Sequence, residues 1–231
     1  MEEVVIDTPM FAAVLFDMDG SLVDTEPMWH AAEVDLMARY GAVWTMADQE
    51  VALGGPIARV GRYIADRLAA DGVAGISPER AVAELLQTFE QHLDDGEIAV
   101  HDGADALLRE AMQADLPLAL VSNSTRRLMD KVLAANPGMR FDLTIAGDEV
   151  AQAKPHPGPY LEAAERLGVP IEDCLVVEDS PTGVAAARDS GAAVVAVQHR
   201  GQLDPGPRGL VVQRLDGLTL AELAERLLDQ S

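Results

Sequence analysis

The chain has one cysteine, Cys174, in 231 residues, which excludes an internal disulfide framework and a cysteine-rich zinc site. Cys174 opens the apolar run "CLVVE", so buried packing is expected of it and not reactivity. Aromatic residues make up 4% of the composition, and of 17 basic residues only Lys131 and Lys154 are lysines. Positive charge is short overall: 17 Lys and Arg stand against 39 Asp and Glu, a formal net charge of −22. The acids are spread without a long block, which describes a solvated surface and disfavours nucleic acid as a partner. A small anionic ligand remains open if a metal, a helix N-terminus or a placed cation receives it. No apolar run approaches the ~18 residues that span a bilayer. The start "MEEVVIDTPM" has no basic region followed by an apolar one, so a cytoplasmic protein without a membrane partner is expected. Walker, GxGxxG and CxxC patterns are missing, and no histidine is placed for a Ser-His-Asp triad.

What is present is a globular balance, with 48% hydrophobic and 24% charged residues. The length fits one core, or one core carrying a smaller inserted domain. Apolar runs of strand length recur at "AAVLF" (12–16), "LPLALVS" (116–122), "LTIAG" (143–147), "CLVVE" (174–178) and "AAVVAV" (192–197). They are nearly continuous in hydrophobicity, as for parallel strands covered on both faces. Helical patterns alternate with the later ones, so the fold class is α/β, a doubly wound parallel sheet. From Pro27 to Asp95 the alternation stops and only helical segments appear. In the last of these, Val82, Leu85, Leu86, Phe89 and Leu93 form a stripe behind a Ser77–Pro78 start. The expected organisation is a core of residues 1–26 and 96–231 with a helical domain at 27–95. "GQLDPGPRG" (201–209) is expected to be a surface loop.

In such sheets ligands bind beyond the carboxyl ends of the strands, and the residues there are unusual. Asp17 and Asp19 follow the first run in "VLFDMDGSLVDTEP", Ser122, Asn123 and Ser124 follow the second, Asp148 and then Lys154 lie beyond the third, and Glu178 and Asp179 close the fourth. Asp-x-Asp-Gly alone is equally an ordinary turn. Two acids after a buried strand repel one another unless they share a cation, and with Asp17 they offer the hard oxygens that suit Mg²⁺. Ser180 and Pro181 read as an N-cap and first helical residue. Lys154, in "AQAKPHPGPY", could hold an anionic oxygen beside an acid, or be an exposed loop lysine. Ser122 could meet phosphate oxygens or cap the following helix.

"FDMDGSLVDTEP", "LVSNST", "AKPHPGPYLEAAERLGV" and "CLVVEDSPTGVAAARDSGA" together resemble the four ordered motifs of the haloacid dehalogenase superfamily of phosphohydrolases. The helical insertion after the first resembles the small helical cap of its β-phosphoglucomutase and sugar-phosphate phosphatase branch. The resemblance implies Asp17 as nucleophile and Asp19 as acid and base. It implies Ser122, Asn123 and Lys154 as phosphate ligands. Mg²⁺ is implied as cofactor on Asp17, Asp19 through its carbonyl, and Asp179, with Glu178 close by or in the outer shell.

The implied activity is a Mg²⁺-dependent phosphatase of small phosphorylated metabolites, plausibly sugar phosphates, acting as a monomer through an aspartyl-phosphate. A phosphosugar mutase is the enzymatic alternative, and a non-catalytic phospho-ligand binding protein the alternative of another class. The interval 27–95 has no lysine, which sets aside the Schiff-base phosphonatase branch. "VALGGPIARVGRYI" lacks the serine of the mutase cap. Substrate choice is expected of the cap, with His30, Gly54, Gly55 and Arg59 as candidates, whereas Trp29 and Arg62 fit packing or surface roles. His156 in the "KPxP" pattern either tunes Lys154 or is a solvated loop residue.

Overall fold

The computed structural model describes residues 11–52, 57–95, 98–199 and 202–229. The chain runs through β1 (Ala13–Phe16), β2 (Val23–Asp24), α1 (Glu26–Arg39), α2 (Met46–Ala52), α3 (Ile57–Ala70), α4 (Pro78–Asp95) and β3 (Ala99–Val100). It continues through α5 (Asp102–Gln113), β4 (Leu118–Val121), α6 (Arg126–Ala135), β5 (Leu143–Ile145), α7 (Gly158–Leu167), β6 (Cys174–Glu178), α8 (Pro181–Ser190), β7 (Ala193–Val197), β8 (Gly209–Val212) and α9 (Leu220–Leu228). It divides into two compact units, Met1–Val23 with Val100–Ser231, and Asp24–Ala99.

The first unit is built on a six-stranded sheet in the order β5-β4-β1-β6-β7-β8, parallel throughout. Every residue of β1, β4, β6 and β7 is buried. This is why those strands read as unbroken apolar runs: a parallel sheet with helices on both faces has no wet side to specify. Tyr160, Ala163 and Ala164 of α7 and Ala186 and Ala187 of α8 join Leu15, Val121 and Val176 in one cluster. Cys174 lies in it with its Sγ against the Pro170 carbonyl; burial pushes the thiol up to about 12, so it stays protonated and inert.

Local signals explain where the helices begin. Ser180 accepts from the Gly183 amide at 3.0 Å and Pro181 occupies the first turn of α8. Thr125 caps α6, and Thr219 with Glu222 form a reciprocal capping box on α9. At the sheet edge, Arg126 bonds the Thr144 hydroxyl at 2.8 Å and its carbonyl at 3.2 Å, occupying an acceptor that would otherwise be free to pair with another chain.

Two features depart from the sequence expectation. The interval anticipated as a surface loop ends at Gly209, the first residue of a sixth strand, β8. Within that loop Leu203 is buried with Val184 and Ala196. The four residues "GLVV" are too short and too close to Pro and Gly for periodicity to reveal a strand, and pairing with β7 supplies what local preference does not.

The second unit is helical, with α4 packed on α1 and α3. Its apolar contribution runs through Ala81, Leu85, Phe89 and Leu93, one position round from the Val82 and Leu86 edge anticipated for the stripe. Trp29 stacks on Phe89, with centroids 3.7 Å apart and planes within 12°, a packing role.

Two buried acids in this unit have opposite surroundings. Asp48 accepts from the Thr45 amide and hydroxyl, Tyr63 and Arg67. Burial opposes its ionisation, but these donors outweigh it and hold the carboxyl well below the usual range. Glu33 is 4% exposed, and its Oε2 has no partner. Burial pushes its carboxyl up to about 7, against the pull of a Trp44 hydrogen bond. A raised carboxyl takes up its proton on folding, so stability is lost as pH rises from the ordinary 4.5 through about 7. Glu33→Gln should therefore shrink the stability deficit at about pH 8 relative to about pH 5 by on the order of 2 kcal/mol. Urea unfolding at both pH values checks this, and an unchanged gap would mean Glu33 ionises without cost.

Candidate active site

The sheet order reverses beside β1, since the chain steps from β1 to β4 and β5 on one side and returns to β6, β7 and β8 on the other. The crevice beyond the carboxyl ends of β1 and β6 is where such a sheet binds ligands. Asp17 follows β1 directly, and its amide still donates to the Val177 carbonyl at 3.0 Å, so the sheet fixes its backbone. Glu178 is the last residue of β6 and is fully buried, and Ser122 follows β4.

Lys154 lies at the centre of these groups. It is 5% exposed, and its Nζ donates at 2.7 Å to Asp17 Oδ1, to Glu178 Oε1 and to the Val121 carbonyl. All three ammonium protons are used. Asn123 holds the lysine's own backbone from both sides: its Oδ1 accepts from the Lys154 amide at 2.9 Å and its Nδ2 donates to the Lys154 carbonyl at 3.0 Å. His156 accepts from the Gly158 amide through Nδ1 at 2.9 Å, a loop contact made away from the Lys154 ammonium.

Glu178 is saturated by five donors. Lys154 and Tyr160 reach Oε1, and the Asp179 amide, the Ser180 amide and the Ser180 hydroxyl reach Oε2. A Cβ on Gly183 would run into this carboxylate, so α8 comes this close only because that position has no side chain.

The turn after Asp17 is equally constrained. Met18 O accepts from the Leu22 and Val23 amides, and the Gly20 amide donates to Val23 O at 2.8 Å. Gly20 has a φ of 85°, and a Cβ there would strike the Asp179 carboxylate. Both demands select glycine. Ser21, also buried, donates to Asp179 Oδ1 at 3.2 Å. Asp19 Oδ2 accepts from Ser122 at 3.2 Å and from Ser124 at 2.7 Å.

Asp17, Glu178 and Asp179 bring carboxylate oxygens within 4.8 Å of one another. Burial pushes the Asp17 carboxyl up to about 7, with Glu178 adding and Lys154 pulling it back. Asp179 is raised well above its ordinary value by burial first, then by Asp17 and Glu178. Burial acts to lower Lys154, but Asp17 and Glu178 outweigh it and the ammonium is held above its usual range. Three carboxylates thus face one ammonium, and the oxygen donor set fits a hard divalent cation such as Mg²⁺. Because the Glu178 oxygens already carry five donors, Asp17 and Asp179 are the acids with lone pairs to offer.

The sequence candidates Asp17, Asp19, Ser122, Asn123, Lys154, Glu178 and Asp179 therefore form one connected group. The side chain of Asn123 is committed to the Lys154 backbone, which leaves its own amide for the phosphate role expected of it. In the helical unit His30 Nδ1 lies 2.6 Å from Gln49 Oε1 and Arg59 donates to the Val51 carbonyl at 2.7 Å. Gly54 and Gly55 lie outside the described residues. Sequence reasoning passed over Tyr160 and Ser21. Ser21 sits two residues from a candidate acid, which is a usable signal, whereas Tyr160 reads simply as an apolar position of α7.

The family profile described as "Hydrolase: haloacid dehalogenase-like hydrolase" matches residues 11–191. Protein CbbY of Rhodobacter capsulatus is 32% identical over 196 residues, 79% of this chain and 83% of that one. Fructose-1-phosphate phosphatase YqaB of Escherichia coli (strain K12) is 29% identical over 190 residues, 81% of this chain and 97% of that one. The crystal structure of CbbY from Rhodobacter sphaeroides in complex with phosphate has a TM-score of 0.74 at 26% identity, covering 92% of this chain and 99% of that chain.

Removing the central cation should be far more damaging than removing one neutral donor. Lys154→Met leaves Asp17 and Glu178 buried without a counter-ion and is expected to cost about 3–5 kcal/mol in urea unfolding. Tyr160→Phe, which deletes one of five donors to Glu178, should cost about 1.5–3 kcal/mol. Equal losses would mean the ammonium does not carry the cluster.

Proposed function

The chain belongs to the haloacid dehalogenase-like hydrolases, and on that premise we propose that it is a Mg²⁺-dependent phosphatase of small phosphorylated metabolites, sugar phosphates foremost. The observation that carries this reading is the contact of Lys154 Nζ with Asp17 Oδ1 at 2.7 Å, beside Asp19 held by two hydroxyls. That pairing gives a carboxylate nucleophile its counter-ion and places a second carboxyl one residue beyond Met18.

A phosphate dianion entering this crevice meets carboxylates, and the repulsion must be cancelled before any bond can form. Lys154 cancels part of it. A bound Mg²⁺ would supply the remaining positive charge. Asp17 and Asp179, with the Asp19 carbonyl, would hold that ion, and Glu178 would stand behind Asp179 as its buried support.

Lys154 fixes Oδ1 of Asp17, leaving Oδ2 to attack phosphorus. As the phosphorus–alcohol bond breaks, Asp19 gives its proton to the departing oxygen. The same carboxylate then takes a proton from water, whose oxygen attacks phosphorus and releases Asp17 and inorganic phosphate. Ser122 and Ser124, by donating to Asp19 Oδ2, set which Asp19 oxygen faces the leaving group. An entering phosphoryl oxygen would take the single Ser122 proton from Asp19, leaving Ser124 on Asp19 Oδ2, and the Asn123 amide would receive another phosphoryl oxygen.

Substrate choice is assigned to the helical unit, with His30, Arg59, Gly54 and Gly55 as its candidate residues, and the enzyme is taken to be a cytoplasmic monomer. No described helix is long and apolar enough to cross a membrane.

Phosphate release from a panel of sugar and polyol phosphates tests the reading. Turnover should require Mg²⁺ and cease with EDTA. Asp17→Asn should abolish turnover, and undiminished release would remove Asp17 as nucleophile. Asp19→Ala should slow both half-reactions by about 10²–10⁴-fold; an unchanged rate would remove it as acid and base. Conversion of β-glucose 1-phosphate to the 6-phosphate with little free phosphate would turn the assignment to the mutase.

A further inference from the structure

His101 and His199 are far apart in sequence, yet their rings stack with centroids 5.6 Å apart and planes within 26°. His199 Nε2 lies 2.9 Å from the Gly20 carbonyl. A carbonyl can only accept, so Nε2 carries the proton and donates. His101 contributes a second bond to the same turn, its backbone amide donating to the Leu22 carbonyl at 3.0 Å. Two carbonyls of one five-residue turn are therefore held from outside by a stacked histidine pair.

The turn held in this way touches the metal-fitting acids. Gly20 packs so closely on Asp179 that a Cβ would collide with its carboxylate, and Ser21 donates to Asp179 Oδ1. Gly20 and Ser21 share the peptide whose carbonyl accepts from His199. Fixing that peptide plane fixes both neighbours of Asp179 at once. His199 is itself anchored, because the Gln198 amide before it donates to the Val212 carbonyl at 2.7 Å.

We propose that His199, backed by the His101 ring, is a positioning residue that orients Asp179 for the divalent cation by pinning the Gly20–Ser21 peptide. The inference rests on the reading of Asp17 and Asp179 as Mg²⁺ ligands. His199 touches no reacting group and works only through the turn. Outer-shell partners of this kind typically change metal affinity by about 10–100-fold when removed.

Calorimetric titration of the metal-free protein with Mg²⁺ alone tests the inference apart from turnover. His199→Phe keeps a ring for the stack and deletes the donor, and should weaken Mg²⁺ binding about tenfold. His199→Gln returns an N–H at similar reach and should bind within about twofold of the wild type, as expected if the hydrogen bond is the cause. His199 is exposed, so neither change should lower the melting temperature of the metal-free protein. His199→Leu provides a second apolar replacement that must repeat the loss. In the phosphatase assay the apolar variants should recover wild-type kcat in excess Mg²⁺, which a general loss of structure would not allow. Wild-type affinity in both apolar variants would overturn the inference and leave the Mg²⁺ reading intact. Absence of Mg²⁺ binding by the wild type would overturn both.

Discussion

One buried ammonium ties together the working end of the sheet. Lys154 donates to the last carbonyl of β4, to the acid after β1 and to the acid that ends β6, so three neighbouring strands share one cation at their carboxyl ends. Taking such a charge out of water costs several kcal/mol, and the cost is offset only where every proton finds an acceptor and the surrounding charges are opposite. Both conditions hold here. The rest of the site follows from serving that arrangement: Asn123 holds the lysine's backbone, Tyr160 and the Asp179 and Ser180 amides share Glu178, and Gly183 lets the next helix come near.

A chain with net charge −22 is, taken as a whole, poorly matched to an anionic substrate. The match is local and not global: surface acids are screened within about a Debye length, whereas the crevice is walled by low-dielectric side chains. The same burial that raises Asp17 and Asp179 stores a demand for positive charge. An exchangeable cation held by Asp17 and Asp179, as proposed above, would supply that charge.

The core of this design was legible in the sequence because its signals are local. Buried parallel strands announce themselves as apolar runs, and residues that break such runs with charge, Asp17 and Glu178, stand out at once. Lys154 was visible because lysine is so rare in the chain. What stayed hidden depends on long-range partners. The hydroxyl of Tyr160 matters only because Glu178 lies beneath it. The side chain of Asn123 matters only because the loop carrying Lys154 folds over it. β8 exists because β7 offers it an edge, and the isolation of Glu33 Oε2 is a property of the space around it, not of the residues beside it in sequence. The histidine pair at 101 and 199 has no pattern in sequence at all.

The position of β1 in the sheet also bears on synthesis. It is the first sheet strand to leave the ribosome and yet lies in the middle, with Val14 paired to Leu118 on one side and Leu175 on the other. Until those residues emerge, a fully apolar strand has two open edges and no cover, a state that favours wrong pairing with other nascent chains. The helical unit of Asp24–Ala99 follows it immediately and packs α4 on α1 and α3 from residues already synthesised, so it can fold while β1 waits. An insertion placed after the first strand is thus also a delay built into translation, and Asp17 at the end of that strand meets Lys154 and Glu178 only when the last third of the chain arrives.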